Sequence, residues 1–190
     1  MMLEKIPAFV GRGLDRVRSG FDRIVALRAG IAVAPPSIMV TSSAFREGEL
    51  IPAKYTADGI GISPPLAWRG VPDSARAVVI VVEDADSPSP MPLVHGIAVR
   101  LAPKAGDIPE GALREHGAEL AVGRNSFFSA AWLPPDPPPG HGDHRYVFQV
   151  FAIDHDPDLG PHPGRSAVAD ALSGHTIARG LLVGTYRRAS

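Results

Sequence analysis

The stretch A77-VVIVVEDADSPSPMPLVHGIAVR-L101 decides how the rest of the chain is read. An unbroken apolar run, Val78 to Val82, ends in two carboxylates, Asp84 and Asp86. Pro88, Pro90 and Pro92 follow, and a second strand-like run opens at Val94 and His95. Short β-branched runs bounded by turn residues read as buried strands. Proline has no N–H for a ladder, so the three prolines belong to the connection and to neither strand. If the runs pair as neighbours, Asp84 and Asp86 close one strand where His95 opens the next. An acid-and-imidazole pocket at one sheet end is the expectation. Alternation within Val94–Leu101 places His95 on one side with Ile97, Val99 and Leu101.

Working outward, Ile38 to Ser43 is a short strand, and S63-PPLA-W68 is extended because its two prolines fix the backbone. Residues 103–123 show no strong period. Asn125 to His144 is the most irregular stretch and ends in PPDPPPGHGDH. A loop this long inside a compact domain is usually functional or disordered. Arg145 to Asp154 alternates Tyr146, Phe148, Val150 and Ala152 against Val147, Phe151 and Ile153. Both sides are apolar, which predicts a central strand. Ser166 to Ser173 reads as a short helix stopped by Gly174, and Leu181 to Tyr186 as a last strand. No βαβ repeat occurs, so the expected class is all-β: a sandwich with Greek-key connections and few, peripheral helices.

The first 34 residues differ in character. Ile6, Phe9, Val10, Leu14, Val17, Phe21, Ile24 and Leu27 share one face of a helical wheel. Lys5, Arg12, Asp15, Arg16, Asp22 and Arg23 share the other, and Pro35-Pro36 stop the pattern. The spacing predicts an amphipathic helix within an arm and linker, residues 1–36, ahead of a binding domain, residues 37–190. Six basic and three acidic residues give the first 34 a net charge of +3. The arm is expected to cover apolar surface on its own domain or on a second copy, with contact to an anionic membrane surface as the alternative. Charges interrupt every candidate signal-peptide core, and no apolar run approaches the roughly 20 residues that span a bilayer. A cytoplasmic protein is expected.

Composition narrows the function. The 190 residues carry a formal net charge of −1, so no basic field argues for nucleic acid. The absence of cysteine removes thiolate catalysis and Cys-based zinc sites. His141, His144, His155 and His162 match no helix-borne metal pair, and no H-E-x-x-H, P-loop, G-x-S-x-G or G-x-G-x-x-G occurs. No cofactor is expected, with a zinc site among these histidines as the alternative. The candidate ligand-binding residues are Asp84, Asp86, His95, His144 and Tyr146. A carboxylate raises the pKa of a neighbouring imidazole and orients it, and two imidazoles near neutrality would receive an anion such as phosphate. Tyr146 lies two residues from His144 on the same face and adds a hydroxyl donor. The rival is a hydrolase or transferase that uses an Asp–His pair on a phosphoryl or acyl substrate, although no nucleophile is marked by its context.

SPPLAW, D-A-D-S-P (Asp84 to Pro88), the histidine His95 and P-P-G-x-x-x-H-R-Y (Pro138 to Tyr146) occur in that order. Together they resemble the phosphatidylethanolamine-binding protein (PEBP) family, in its bacterial, Raf-kinase-inhibitor-like branch. The closing SGHTIARGLLVGTYRR is similar to that branch's C-terminal helix and strand, and the resemblance covers residues 38–188. It implies a β-sandwich with a small pocket for phosphate-like anions, including phospholipid headgroups, and no metal or organic cofactor. By position, Asp84 and His95 are the pocket carboxylate and histidine, His144 and Tyr146 come from the H-R-Y segment, and Asp86 is the second acid of D-P-D-x-P. It further implies a non-enzymatic, regulatory kinase- or protease-inhibitor-like module and, for bacterial members, a homodimer. Three departures carry expectations. Ala85 replaces a proline, so that loop should be less rigid; Leu93, Val94 and Gly96 replace aromatic residues, so the rim should lack aromatic surface; and an extra His141 precedes His144.

Overall fold

The computed structural model describes residues 17–114 and 120–188. Among the described residues, eight strands form two antiparallel sheets. Met39–Thr41 (β1), Leu66–Arg69 (β2) and Gly106–Ile108 (β5) make a small sheet in the order β1-β2-β5. Ala77–Asp84 (β3), Leu93–Leu101 (β4), Ala121–Val122 (β6), His144–Ile153 (β7) and Thr176–Tyr186 (β8) make a larger one in the order β6-β4-β3-β7-β8. The chain leaves β4, visits the small sheet, returns to the edge as β6, and then crosses to the other side of β3 as β7. The mostly β architecture with few helices is the one expected.

Strand β3 explains its own sequence. Val78, Ile80 and Val82 face the small sheet and pack with Val40, Trp68, Ile108, Phe148 and Val150. Ala77, Val79 and Val81 face the opposite way and pack with Ile24, Ile31, Ile97, Phe151 and Leu172. Covered on both faces and flanked by β4 and β7, the strand has no solvent side, so an alternating pattern would be wrong there. Its neighbour β7 divides as its alternation predicts: Tyr146, Phe148, Val150 and Ala152 join the first core, and Val147, Phe151 and Ile153 the second.

The second core is closed by Arg165–Leu172 (α2) and by residues 19–34. Here the helical expectation is corrected for residues 17–34 of the arm. Its part before residue 17 lies outside the described residues. Beyond it the chain forms two 3₁₀ turns, Phe21–Arg23 and Val25–Leu27, and a single helical turn, Ala29–Ala32 (α1). Gly20 takes φ 97°, and Ile24 and Arg28 have extended backbone at ψ 157° and 141°, which interrupts any continuous helix. The physical reason is burial of three consecutive residues, Ile24, Val25 and Ala26, which no single helix face permits. Breaking the helix frees two backbone N–H groups for polar side chains within the sheet. Val25 N–H donates to Glu83 Oε2 at 2.7 Å, and Ala26 N–H donates to Gln149 Oε1 at 2.7 Å. Residues 19–34 thus cover their own domain. Among the described residues no helix is long and apolar enough to cross a membrane.

Candidate functional site

One sheet end gathers the close of β3, the start of β4 and the start of β7. Register places Asp84 between Leu93 on one side and Tyr146 on the other. His144 then sits two residues before Tyr146 on the same strand, within reach of Asp84. Its Nδ1–H donates to Asp84 Oδ2 at 2.8 Å, and its Nε2 meets His141 Nδ1 at 2.6 Å. Asp84 Oδ1 accepts the N–H of Asp86 at 2.8 Å. Asp84, His141 and His144 are all buried, so this chain of hydrogen bonds is shielded from water.

His95 arrives by a different device. The β3–β4 register shifts between Val82, opposite Gly96, and Glu83, opposite Val94. This β-bulge leaves His95 as the extra residue and turns it across the sheet. Its expected position beside Ile97 and Val99 is thereby corrected: those two and Val94 pack into the second core, whereas the His95 ring stands edge-on to Tyr146 at 5.0 Å and tilted against Trp132 at 6.0 Å. The Nδ1–H of His95 donates to the Leu133 carbonyl at 2.6 Å. That fixes the tautomer and leaves Nε2 as a buried lone pair with no hydrogen-bond partner. Burial holds the imidazole pKa below its ordinary value despite the nearby Asp84 charge and the Leu133 hydrogen bond. The expectation of an imidazole raised by its carboxylate neighbour therefore fails at His95, because desolvation outweighs the charge.

A cavity of about 460 Å³ opens above this floor of Asp84, His95 and His144. Ser87, Pro88 and Leu93 form one wall. The long loop between β6 and β7 forms the other, through Phe127, Trp132, Leu133 and Asp136. The rim accordingly has aromatic surface, supplied from this loop instead of from positions beside His95. Among the described residues no lysine or arginine lines the cavity. The Asp136 carboxylate pairs with Arg188, which also binds Asp58.

Two of the five sequence candidates stand behind the lining. Asp86 accepts Arg145 N–H at 2.9 Å and its Nε and Nη2 at 2.7 and 2.8 Å, with Arg18 Nη1 at 3.2 Å. Burial raises its carboxyl pKa, but these donors and charges outweigh burial and leave it below the usual range. Its role in this geometry is bracing. Tyr146 is fully enclosed, and its hydroxyl is buried without a hydrogen bond. Burial, then the Asp84 charge, push its pKa well above the ordinary value, so the phenol stays neutral.

The Asp84–Pro88 loop is firmer than its missing proline implies. Ala85 keeps an N–H that donates to the Arg145 carbonyl at 3.0 Å, a bond proline cannot make. The Ala85 carbonyl accepts Gly20 N–H at 2.9 Å, and the Ser87 carbonyl accepts Ser19 N–H at 2.9 Å. The described end of the arm thus splints the loop beneath the cavity.

Trp132 depends on Gly96. A Cβ at position 96 would lie 2.8 Å from Leu113 Cδ1 and 3.3 Å from Trp132 Cε3. Gly96→Ala is expected to lower stability by about 1–3 kcal/mol by overpacking. It should also shift the tryptophan emission as the ring moves off His95. Unchanged melting and emission would show that the wall tolerates the methyl group.

Comparison with known proteins follows the same outline. The family model for phosphatidylethanolamine-binding protein matches residues 41–187. A UPF0098 protein of Pyrococcus horikoshii is 40% identical over 151 residues, spanning 77% of this chain and 75% of the relative. The crystal structure of a putative PEBP homologue from Chlamydia trachomatis superposes with a TM-score of 0.70 at 34% identity, covering 80% of this chain and 99% of that one. Escherichia coli YbcL, described as a member of the mammalian PEBP family, gives 0.75 at 25% identity with the same coverage. The family match starts at the last residue of β1 and ends one residue past β8, so the larger sheet and every cavity-lining residue fall inside it; the chain belongs to the phosphatidylethanolamine-binding protein family.

Proposed function

We propose that the cavity binds, without turnover, a phosphate-bearing headgroup that also carries a proton or a cationic amine, and that the protein acts as a regulatory module whose engagement depends on that ligand. The observation that carries this reading is the orphaned Nε2 of His95 on a floor shared with the Asp84 carboxylate. A neutral imidazole with a free lone pair repels a bare phosphate oxygen. It accepts a hydrogen bond from a P–OH group, or it takes up a proton and then donates to P–O⁻. Asp84, or Asp136 beside its arginine, would meet an ammonium group. A phosphoethanolamine zwitterion answers both demands. The partners of the two cavity imidazoles are a carbonyl, a carboxylate and a third imidazole. None is a hydroxyl that a general base would deprotonate, which favours binding over an Asp–His hydrolase.

The test is calorimetric titration with inorganic phosphate, phosphoethanolamine and glycerophosphoethanolamine. The last is a diester whose phosphate keeps one charge across neutral pH. Free His95 titrates below about 6.5, its unperturbed value. A bound anion raises that pKa, so binding takes up a proton in the window between the two values, and diester affinity falls as pH rises through it. The expected result is amine-bearing ligands tighter than phosphate, a heat that varies with buffer ionisation enthalpy, and at least a tenfold loss in His95→Ala. Equal, pH-flat affinities untouched by His95→Ala would overturn the reading.

A further inference from the structure

At the far end of β7, on the order of 30 Å along the strand from His144, a second polar cluster lies outside the cavity. Asp154 follows the last residue of β7 and His175 precedes the first residue of β8, with His155 beside them. Backbone hydrogen bonds hold this corner: Asp154 N–H donates to the His175 carbonyl at 3.2 Å, and His175 N–H donates to the Leu172 carbonyl at 3.2 Å. Asp154 Oδ1 lies 3.0 Å from His175 Nδ1 and 3.5 Å from His155 Nδ1. The two rings are 4.2 Å apart between centroids. One donor atom from each of the three residues falls within 4.8 Å of the others. His155 Nδ1 is buried and makes no hydrogen bond.

We propose that Asp154, His155 and His175 form a binding site for a divalent transition metal of the Zn²⁺ type, with one coordination position left to water or to an outside ligand. Zinc bonds of about 2.0–2.1 Å to imidazole and carboxylate set neighbouring tetrahedral ligands about 3.3 Å apart. The two contacts of Asp154 Oδ1 bracket that value, and a small closure of the two rings completes the set. Two imidazoles and one carboxylate are ligands such an ion accepts at neutral pH. On binding, both histidines coordinate through Nδ1 as neutral rings with the remaining ring proton on Nε2, and any further proton held on Nδ1 leaves to solvent. An ordinary surface ion pair accounts for Asp154 and His175, but it gives no reason for a second imidazole whose buried Nδ1 sits 3.5 Å from the same carboxylate oxygen without forming a hydrogen bond. Sequence spacing concealed the trio because His155 and His175 meet only through the β7–β8 register.

The experiment titrates ZnCl₂ into the full chain by calorimetry and follows histidine ring signals by NMR. The expected result is saturable one-to-one binding in the micromolar range, with signals of His155 and His175 moving before those of His141 and His144. Each of His155→Ala and His175→Ala should weaken binding at least tenfold while melting like the parent without metal. Co²⁺ should produce visible d–d absorption in the parent that both variants lose. No saturable binding up to 1 mM metal, or binding unchanged in both variants, would overturn the site. First movement of His141 and His144 would do the same, since it places the ion in the cavity.

Discussion

Arg165→Leu is expected to destabilise the fold by about 3–5 kcal/mol, the cost of stranding a buried charge. The charge is Glu83, with no exposed surface, in the strand buried on both faces. Its carboxylate accepts Arg165 Nε at 2.6 Å, Gln149 Nε2 at 2.7 Å and Val25 N–H at 2.7 Å. Arg165 is the only cation in that set, and its Nη2 also donates to the Arg23 carbonyl at 2.7 Å. Leucine would remove the guanidinium, leave the carboxylate on neutral donors, and release the turn at Arg23. Replacing both partners, in Glu83→Met with Arg165→Leu, should recover part of the loss, because an apolar pair of similar volume leaves no orphaned charge. Chemical denaturation of the parent, both single variants and the double variant measures this. A single variant within 1 kcal/mol of the parent, or a double variant no better than the sum of singles, would show that the network is not organised around the ion pair. Because Val25 and Arg23 are both held there, the arm should also become protease-sensitive near residues 20–28 in Arg165→Leu.

The arm shows what sequence pattern leaves unread. Strands β3, β4 and β7 were legible because their composition leaves one solution: β-branched and aromatic runs, closed by prolines or glycines, buried on both faces. The partition of β7 into two faces followed from a two-residue period that a strand cannot evade. The arm's apolar spacing also matched a period, yet its form was decided elsewhere. Glu83 and Gln149 are buried polar groups that need N–H donors, and the chain abandons a helix to present Val25 and Ala26 to them. Tertiary demand overrode propensity. The same holds for the bulge at His95, where a one-residue slip changes the face of every later side chain and no local signal announces it. Within the candidate site, Asp84, His95 and His144 were readable as polar residues at strand ends. Trp132 and Asp136 were not, because a proline-rich loop without a period says that it is fixed but not where it points. Asp86 and Tyr146 were correctly placed near the sheet end in one dimension. Only the register and the Arg145 and Arg18 side chains show that they support the cavity from behind.

Asp84→Asn is the substitution expected to disturb the cavity most for the smallest change in shape. Both oxygens of Asp84 accept: Oδ1 from Asp86 N–H and Oδ2 from His144 Nδ1–H. An amide offers one acceptor and one donor, so either orientation sets an N–H against an N–H. If the amide nitrogen faces Asp86, a buried backbone donor is opposed, and the D-A-D-S-P loop must shift. If it faces His144, that ring must move its proton to Nε2, and His141 Nδ1 must in turn become the acceptor. The proton order of the whole imidazole chain reverses. Either route costs about 1–3 kcal/mol, the usual penalty for an unsatisfied buried polar group. It also removes the negative charge that would receive the amine of a headgroup. Melting should fall, phosphoethanolamine affinity should drop more than inorganic phosphate affinity, and ¹⁵N spectra should report a changed tautomer at His144 or a displaced Asp86 amide. If stability, tautomer and ligand preference all survive the exchange, Asp84 is a turn-forming residue at a strand end, and the cavity's selectivity must come from His95 and the loop wall.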